Sequence, residues 1–227
     1  MVTVGVVIPM YRCADYVRGC LESVLAQTRP VDQIVLVDDR GEDETVDVAV
    51  DFLTERGTPF DLVVQPENGG LGRARNTGLA ALDTDLVCFL DSDDQVEPTF
   101  VEALLSALEA ADADFAVCRT SRVDLDGRQL QVDEDPVAEP VLTGPDYARE
   151  LLRGSAKGYA CTKLFRRELL GDRPWAEDQA YEDMAPCVRL ALVADRVALV
   201  DEPLYRYLYR PGSLSTALSE STFDLFI

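Results

Sequence analysis

The stretch Asp91-Ser92-Asp93-Asp94 sets three carboxylates within four residues, directly after the apolar run 85–90. Such charges repel one another unless a cation or hydrogen-bond donors neutralise them. A hard divalent ion with oxygen ligands is the natural resolution, and Mg²⁺ or Mn²⁺ keeps open positions for phosphate oxygens. The plainer alternative is that Asp94 caps a helix beginning near Pro98, with Glu97 favouring its N-terminus. Capping uses one carboxylate and leaves two unexplained. A second acidic pair, Asp38-Asp39, ends the apolar run 33–37. A carboxylate there can accept the imide N–H of a uracil, and Tyr11, just after the run 2–8, can stack on a base. A turn former and a packing aromatic are the bland alternatives. The third candidate runs from Asn68 to Gly78. Its glycines let backbone approach a ligand, and Arg73 or Arg75 can then reach a diphosphate or a base; a helix-surface arginine among acids is the alternative. It is not a dinucleotide fingerprint, because Arg75 stands where the third glycine belongs.

Composition removes much other chemistry. With no histidine among 227 residues, histidine-based nucleophile systems, histidine-ligated zinc and histidine general bases are excluded. The six cysteines show no C-x-x-C spacing and read as buried free thiols. The 21 basic and 42 acidic residues give a net charge of −21, which repels nucleic acid and anionic membranes, and no basic run exceeds Arg166-Arg167. No apolar stretch approaches the ~18–20 residues of a membrane span, and no signal-peptide pattern opens the chain. A soluble cytosolic protein is expected. Catalysis here is left to carboxylates, hydroxyls and arginines, with a hard metal as an open addition.

These residues need elements to hold them. Up to about residue 118 the chain alternates strand and helix. Apolar strands are expected over 2–8, 33–37, 62–64, 85–90 and 115–118. Helices are expected after Asp15, after Asp43, from the glycine-rich stretch through Leu82, and from Pro98 to about Ala111. Continuously apolar strands imply an α/β fold with a mostly parallel central sheet and helices on both faces. Ligands then bind beyond the carboxyl ends of the strands, where Pro9-Met10-Tyr11, Asp38-Asp39 and Asp91–Asp94 converge. After Cys118 the pattern loosens. A hairpin over 123–132, an acidic loop over 133–139, helices near 145–153 and 183–194, and strands over 197–200 and 204–208 are expected. Trp175, the only tryptophan, can stack on a ligand or pack in the core.

The residues 6–12 (Val-Val-Ile-Pro-Met-Tyr-Arg), 37–39 (Val-Asp-Asp), 74–78 (Ala-Arg-Asn-Thr-Gly) and 89–94 (Phe-Leu-Asp-Ser-Asp-Asp), in that order, resemble the family 2 glycosyltransferases of the GT-A fold. The likeness continues through Thr162–Arg167, Tyr181-Glu182-Asp183, Tyr205-Arg206-Tyr207 and Arg210–Ser215. Arg12 stands where the usual pattern has asparagine. The resemblance, which covers roughly 1–215, implies a GT-A-like single domain with a nucleotide-sugar half over 1–118 and a smaller acceptor and catalytic-base half over 119–215. The apolar end 221–227 reads as a helix interrupted early, so 216–227 is expected to start a C-terminal helix of a longer protein, whose later part would mediate oligomerisation or acceptor delivery. The resemblance also implies that Pro9, Tyr11 and Asp39 hold the base, with Arg75, or else Arg73, assisting. Asp91, with Ser92 beside it, and Asp93 form the Asp-x-Asp element for ribose, diphosphate and metal, with Asp94 a further contender. Asp183 occupies the catalytic-base position, and Arg210, Ser213 and Ser215 resemble a loop closing over the diphosphate. The activity implied is inverting, Mn²⁺- or Mg²⁺-dependent transfer from a nucleotide-diphospho-sugar, UDP-linked, to an acceptor hydroxyl in cell-surface polymer or glycoconjugate synthesis. The location implied is cytoplasmic, or peripheral at the inner face of the membrane. A silent nucleotide- or metal-binding module and a carboxylate glycoside hydrolase are the rival classes.

Overall fold

The computed structural model describes residues 2–177 and 182–209. In chain order the strands are β1 (Val4–Met10), β2 (Gln33–Asp38), β3 (Asp61–Val64), β4 (Leu86–Phe89), β5 (Gln95–Val96), β6 (Phe115–Val123), β7 (Gln129–Val132), β8 (Val141–Thr143), β9 (Lys163–Arg166) and β10 (Arg196–Leu208). The helices are α1 (Val17–Leu25), α2 (Thr45–Glu55), α3 (Gly70–Ala81), α4 (Phe100–Ala111), α5 (Gly144–Arg153), the single turn α6 (Arg167–Leu170) and α7 (Met184–Val193). One sheet runs β3-β2-β1-β4-β9-β6-β10-β5, with β7 beside β6 and β8 beside β10. Strands β1 to β4 pair in parallel, as do β6 and β10, whereas β9 is antiparallel to both β4 and β6.

The period-2 geometry of the strands divides the core. Val6, Ile8, Leu86 and Cys88 face a layer built by α1, α2 and α4, while Val7, Val87 and Phe89 face α3, α5 and α7. Every residue of β1 and β4 is buried, as expected for strands covered on both sides. All six cysteines are free and buried. Successive strands step outward from β1 to β2 to β3, and then the chain crosses to β4 on the other side of β1. That reversal opens a crevice at the carboxyl ends of β1 and β4, the usual ligand position in such sheets.

Several expectations are corrected. The sequence pattern does not predict β5, β8 or β9, and the antiparallel pairings of β5, β7, β8 and β9 make the mostly parallel sheet mixed. The two strands expected over 197–208 form one strand, β10, with a register shift between Val200 and Tyr205. The helix expected after Asp15 is α1, whose N-cap position is Tyr16 with no side-chain cap bond, and Pro98 precedes α4 instead of belonging to it. The expected boundary near residue 118 falls inside β6, and residues on both sides of it contribute to the one sheet, in keeping with two halves of the same domain.

Candidate active site

The ends of β1 and β2 are tied together before any ligand arrives. Arg12 takes the left-handed region at φ 50°, which asparagine adopts more readily than most residues and which accounts for the asparagine of the usual pattern. Its Nε donates to Gly41 O at 3.0 Å. Its guanidinium lies 5.2 Å from the centre of the Tyr11 ring, and Tyr11 remains 45% exposed, with a face available for stacking. Pro9 is buried within β1.

Asp39 is buried and heavily used. Its carboxylate accepts Gln65 Nε2 at 2.6 Å and the backbone N–H groups of Gly69 at 2.7 Å and Gly70 at 3.0 Å. It therefore holds the glycine-rich turn at the start of α3. A carboxylate offers about four lone-pair sites, so room for one further donor remains. Asn68, the first residue of the glycine-rich stretch, donates its amide to Asp39 O, and Gln65, which no local pattern marks, belongs to this site as well.

Two glycines of the stretch serve packing instead of a ligand. A Cβ on Gly72 would meet Ala176 O at 1.7 Å, and one on Gly78 would meet Val7 Cγ1 at 2.3 Å. Helix α3 is thus pressed against the 175–177 segment on one side and β1 on the other. Asn76 fastens the same segment, exchanging hydrogen bonds with the Trp175 backbone and reaching Glu177 Oε1 at 2.8 Å. Trp175 packs edge-on against Phe89 and Phe165 in the core and is 2% exposed, so it is not an acceptor platform.

Arg75 is the central cation. It is 1% exposed, and its two terminal nitrogens donate at 2.7 Å each to Asp91 Oδ1 and Glu182 Oε1. The guanidinium joins the acidic turn after β4 to the residue beside Asp183. Burial alone would lower its pKa, but Asp91 and Glu182 raise it and keep it charged. Arg75 is wholly enclosed, whereas Arg73 is a third exposed and pairs loosely with Glu67 at 3.6 Å. Of the two, Arg73 is the one open to a ligand.

The acidic turn separates its carboxylates. Asp91 is 24% exposed on its side chain and Asp93 is half-buried. Ser92 is buried, its Oγ 2.9 Å from Cys13 Sγ. Asp94 is turned inward and 3% exposed, accepting Tyr205 OH and, at 2.8 Å, Leu208 N. It neither caps α4 nor faces the crevice with its neighbours. Among the described residues no three ligating side chains form a metal cage. Two accessible carboxylates without a cage suit Mg²⁺ or Mn²⁺, which bind through one or two carboxylates and complete their shell with water and phosphate oxygens. Asp91 and Asp93 fit that role and Asp94 does not.

Asp183 stands at the N-cap position of α7 but makes no side-chain cap bond. Its Oδ2 instead accepts Ala160 N at 3.3 Å. The backbone there is held by Lys163, fully buried, whose Nζ donates to Tyr159 O at 2.6 Å and Lys157 O at 3.1 Å. Burial pushes the Asp183 carboxyl up from the usual range, with Arg75 opposing; Glu182 is raised for the same reason. A half-buried carboxylate with a raised pKa is suited to taking a proton from a hydroxyl. Arg210, Ser213 and Ser215 lie outside the described residues, as does Tyr181. A cavity of about 490 Å³ opens between the acidic segment 134–139 and α5, and none of the expected site residues lines it.

The parallel half-sheet, its reversal beside β1 and the acidic turn after β4 define an α/β protein of the GT-A type. The family described as Glycosyl transferase family 2 matches residues 5–173, and the chain belongs to that family. It is 31% identical over 228 residues to the succinoglycan biosynthesis protein ExoO of Rhizobium meliloti (strain 1021), covering 97% of this chain and 65% of that protein. It is 31% identical over 218 residues to the glycosyltransferase EpsJ of Bacillus subtilis (strain 168), covering 93% and 62%. The chain therefore spans less than two thirds of these relatives. Residues 1–349 of S. aureus TarS, in complex with UDP-GlcNAc, share the fold at a TM-score of 0.80 and 22% identity, over 96% of this chain and 61% of that one. The mannosyltransferase PcManGT of Pyrobaculum calidifontis, in complex with GDP-Man and Mn²⁺, does so at 0.69 and 19%, over 93% and 58%.

Proposed function

We propose that this protein is an inverting, divalent-metal-dependent glycosyltransferase. It would move a sugar from a nucleotide-diphospho-sugar, UDP-linked, to an acceptor hydroxyl in polysaccharide or glycoconjugate synthesis. The observation that carries the reading is the Asp91–Arg75–Glu182 bridge, which joins the acidic turn to the residue beside Asp183. Donor edge and base candidate are thereby held as one unit. The relative named for succinoglycan biosynthesis and the GT-A neighbours with bound nucleotide-sugars support the same class.

In this reading Tyr11 stacks on the base, and Pro9 and Asp39 bound its pocket. Arg73 supplies positive charge from the start of α3. Asp91 and Asp93 would hold Mg²⁺ or Mn²⁺, which contributes charge to offset that developing on the departing diphosphate. Asp183 accepts the acceptor's hydroxyl proton as the new bond to the anomeric carbon forms and the bond to the diphosphate breaks. Ala160 N–H and the Lys163-braced backbone hold Asp183 in place. Arg210, Ser213 and Ser215 retain the diphosphate role implied by the resemblance. Among the described residues no helix is long and apolar enough to cross a membrane, and a cytoplasmic location, free or peripheral at the inner face, accords with an intracellular sugar donor.

A screen of nucleotide-sugars for thermal stabilisation and donor hydrolysis, with Mn²⁺ and with chelator, tests the reading. Stabilisation by UDP-sugars that vanishes with chelator is expected. Sugar release without nucleotide would indicate a hydrolase, and binding without turnover with any acceptor would indicate a silent module.

A further inference from the structure

We infer that Asp94 and Tyr205 are positioning residues that aim Asp91 and Asp93 at the donor's diphosphate, acting from inside the fold without touching the ligand; this rests on the donor reading above. The acidic turn closes on itself through Asp94 N donating to Asp91 O at 3.0 Å. Asp91 is held from one side by Arg75 and Ser92 from another by Cys13. Asp94 supplies the third fixing point, to a different strand. One of its oxygens accepts the Tyr205 hydroxyl and the other accepts Leu208 N at 2.8 Å.

Everything after the turn reinforces that attachment. β5 follows at once and pairs antiparallel with β10, Val96 opposite Tyr205 and Gln95 opposite Arg206. Glu97 N then donates to Leu204 O at 2.8 Å. The far part of β10, beyond its register shift, is thus the wall against which the turn is set. Tyr205 is 1% exposed and Asp94 3%, and the Asp94 oxygens are directed onto Tyr205 OH and Leu208 N, away from the crevice. Drawing Asp94 inward onto two donors leaves Asp91 and Asp93 on the open side of one rigid turn. The anchor has no counterpart at the base pocket, which is built separately by Tyr11, Asp39 and Gln65.

The separation of the two regions gives a selective test. Binding of UDP and of uridine is measured by titration calorimetry with Mn²⁺ for wild type, Tyr205→Phe and Asp94→Asn, each checked for a folded circular dichroism spectrum. Tyr205→Phe removes only the hydroxyl, and Asp94→Asn keeps an acceptor for Leu208 N. The expected result is a UDP affinity lower by about tenfold in both variants, the scale of one buried hydrogen bond, with uridine affinity within about twofold of wild type. The advantage of UDP over uridine should shrink accordingly. An unchanged ratio in folded variants overturns the positioning role and leaves the donor reading standing, even if thermal stability falls. Failure of both variants to fold would also overturn it, by showing that the anchor serves the fold itself. A wild-type protein that binds UDP no better than uridine would instead remove the donor reading, and the inference with it.

Discussion

Replacing Arg75 by methionine removes the cation while roughly keeping the volume. In the native protein that cation is 1% exposed and makes two 2.7 Å ion pairs, to Asp91 and Glu182, whose side chains are 24% and 15% exposed. Without it, two carboxylates face one another across a dry space. Removing one partner of a buried pair costs about 3–5 kcal/mol, a large share of the roughly 5–15 kcal/mol that holds a typical domain. At about 2–4 °C per kcal/mol for a chain of this size, the melting temperature should fall by roughly 6–20 °C. The loss also has a pH signature. Glu182 is already raised by burial, and Arg75 opposes that rise. Deleting Arg75 lifts it further, so the folded variant binds protons that the unfolded chain does not. Its stability therefore increases as pH falls through the raised pKa, and the deficit against wild type should narrow from pH 7 toward pH 5. Arg75→Lys should fall between, because an ammonium is a point charge and cannot span both carboxylates with fixed geometry. Calorimetric or fluorescence melts at both pH values measure this. A fall of less than about 2 °C, or an equal deficit at both pH values, would refute the bridge as the tie between the two halves of the site.

Three other outcomes are expected. UDP at a hundredfold excess over its dissociation constant, with Mn²⁺, should stabilise the wild type by about 2.7 kcal/mol, and chelator or Asp93→Ala should abolish the effect; equal stabilisation with and without chelator would count against a metal at Asp91 and Asp93. UDP should outcompete ADP by a margin worth about 1.5–3 kcal/mol if Asp39 uses its remaining lone pair on uracil, and equal affinity would remove that role. Asp183→Asn should be no less stable than wild type at pH 7: burial raises the native carboxyl, so that group's favourable contribution is complete below its unfolded pKa and lost as pH rises through the folded one. A clear loss of stability at pH 7 in denaturant titrations would make Asp183 a structural residue.

The strands that carry the site were legible because strands covered on both faces read as unbroken apolar runs, as β1, β2 and β4 do. Strand β9 was not, since its burial of Lys163 is satisfied by backbone carbonyls that no local pattern reveals. The acidic turn was recognised, but three adjacent carboxylates look alike in sequence, and only the partners Tyr205 and Leu208, more than a hundred residues away, show that Asp94 points inward. Glycines posed a similar difficulty. Close approach by a ligand and close approach by protein backbone require the same missing Cβ, and Gly72 and Gly78 prove to be the second kind. Arg73 and Arg75 are two residues apart on a helix and so point to different sides. Which side is buried depends on where Glu182 arrives from another part of the chain.

The central claim is that Asp183 removes the acceptor's proton at a nucleotide-sugar site, and it is tested most directly by the Asp183→Asn variant. Asparagine preserves the shape, and its side-chain oxygen can still accept Ala160 N–H, but it cannot act as a base. With donor and acceptor identified by the screen, transfer rate and UDP affinity are measured on the same preparation of each protein. Transfer should fall by roughly 10²–10⁴ while UDP affinity with Mn²⁺ stays at the wild-type value. Transfer at close to the wild-type rate would contradict the account.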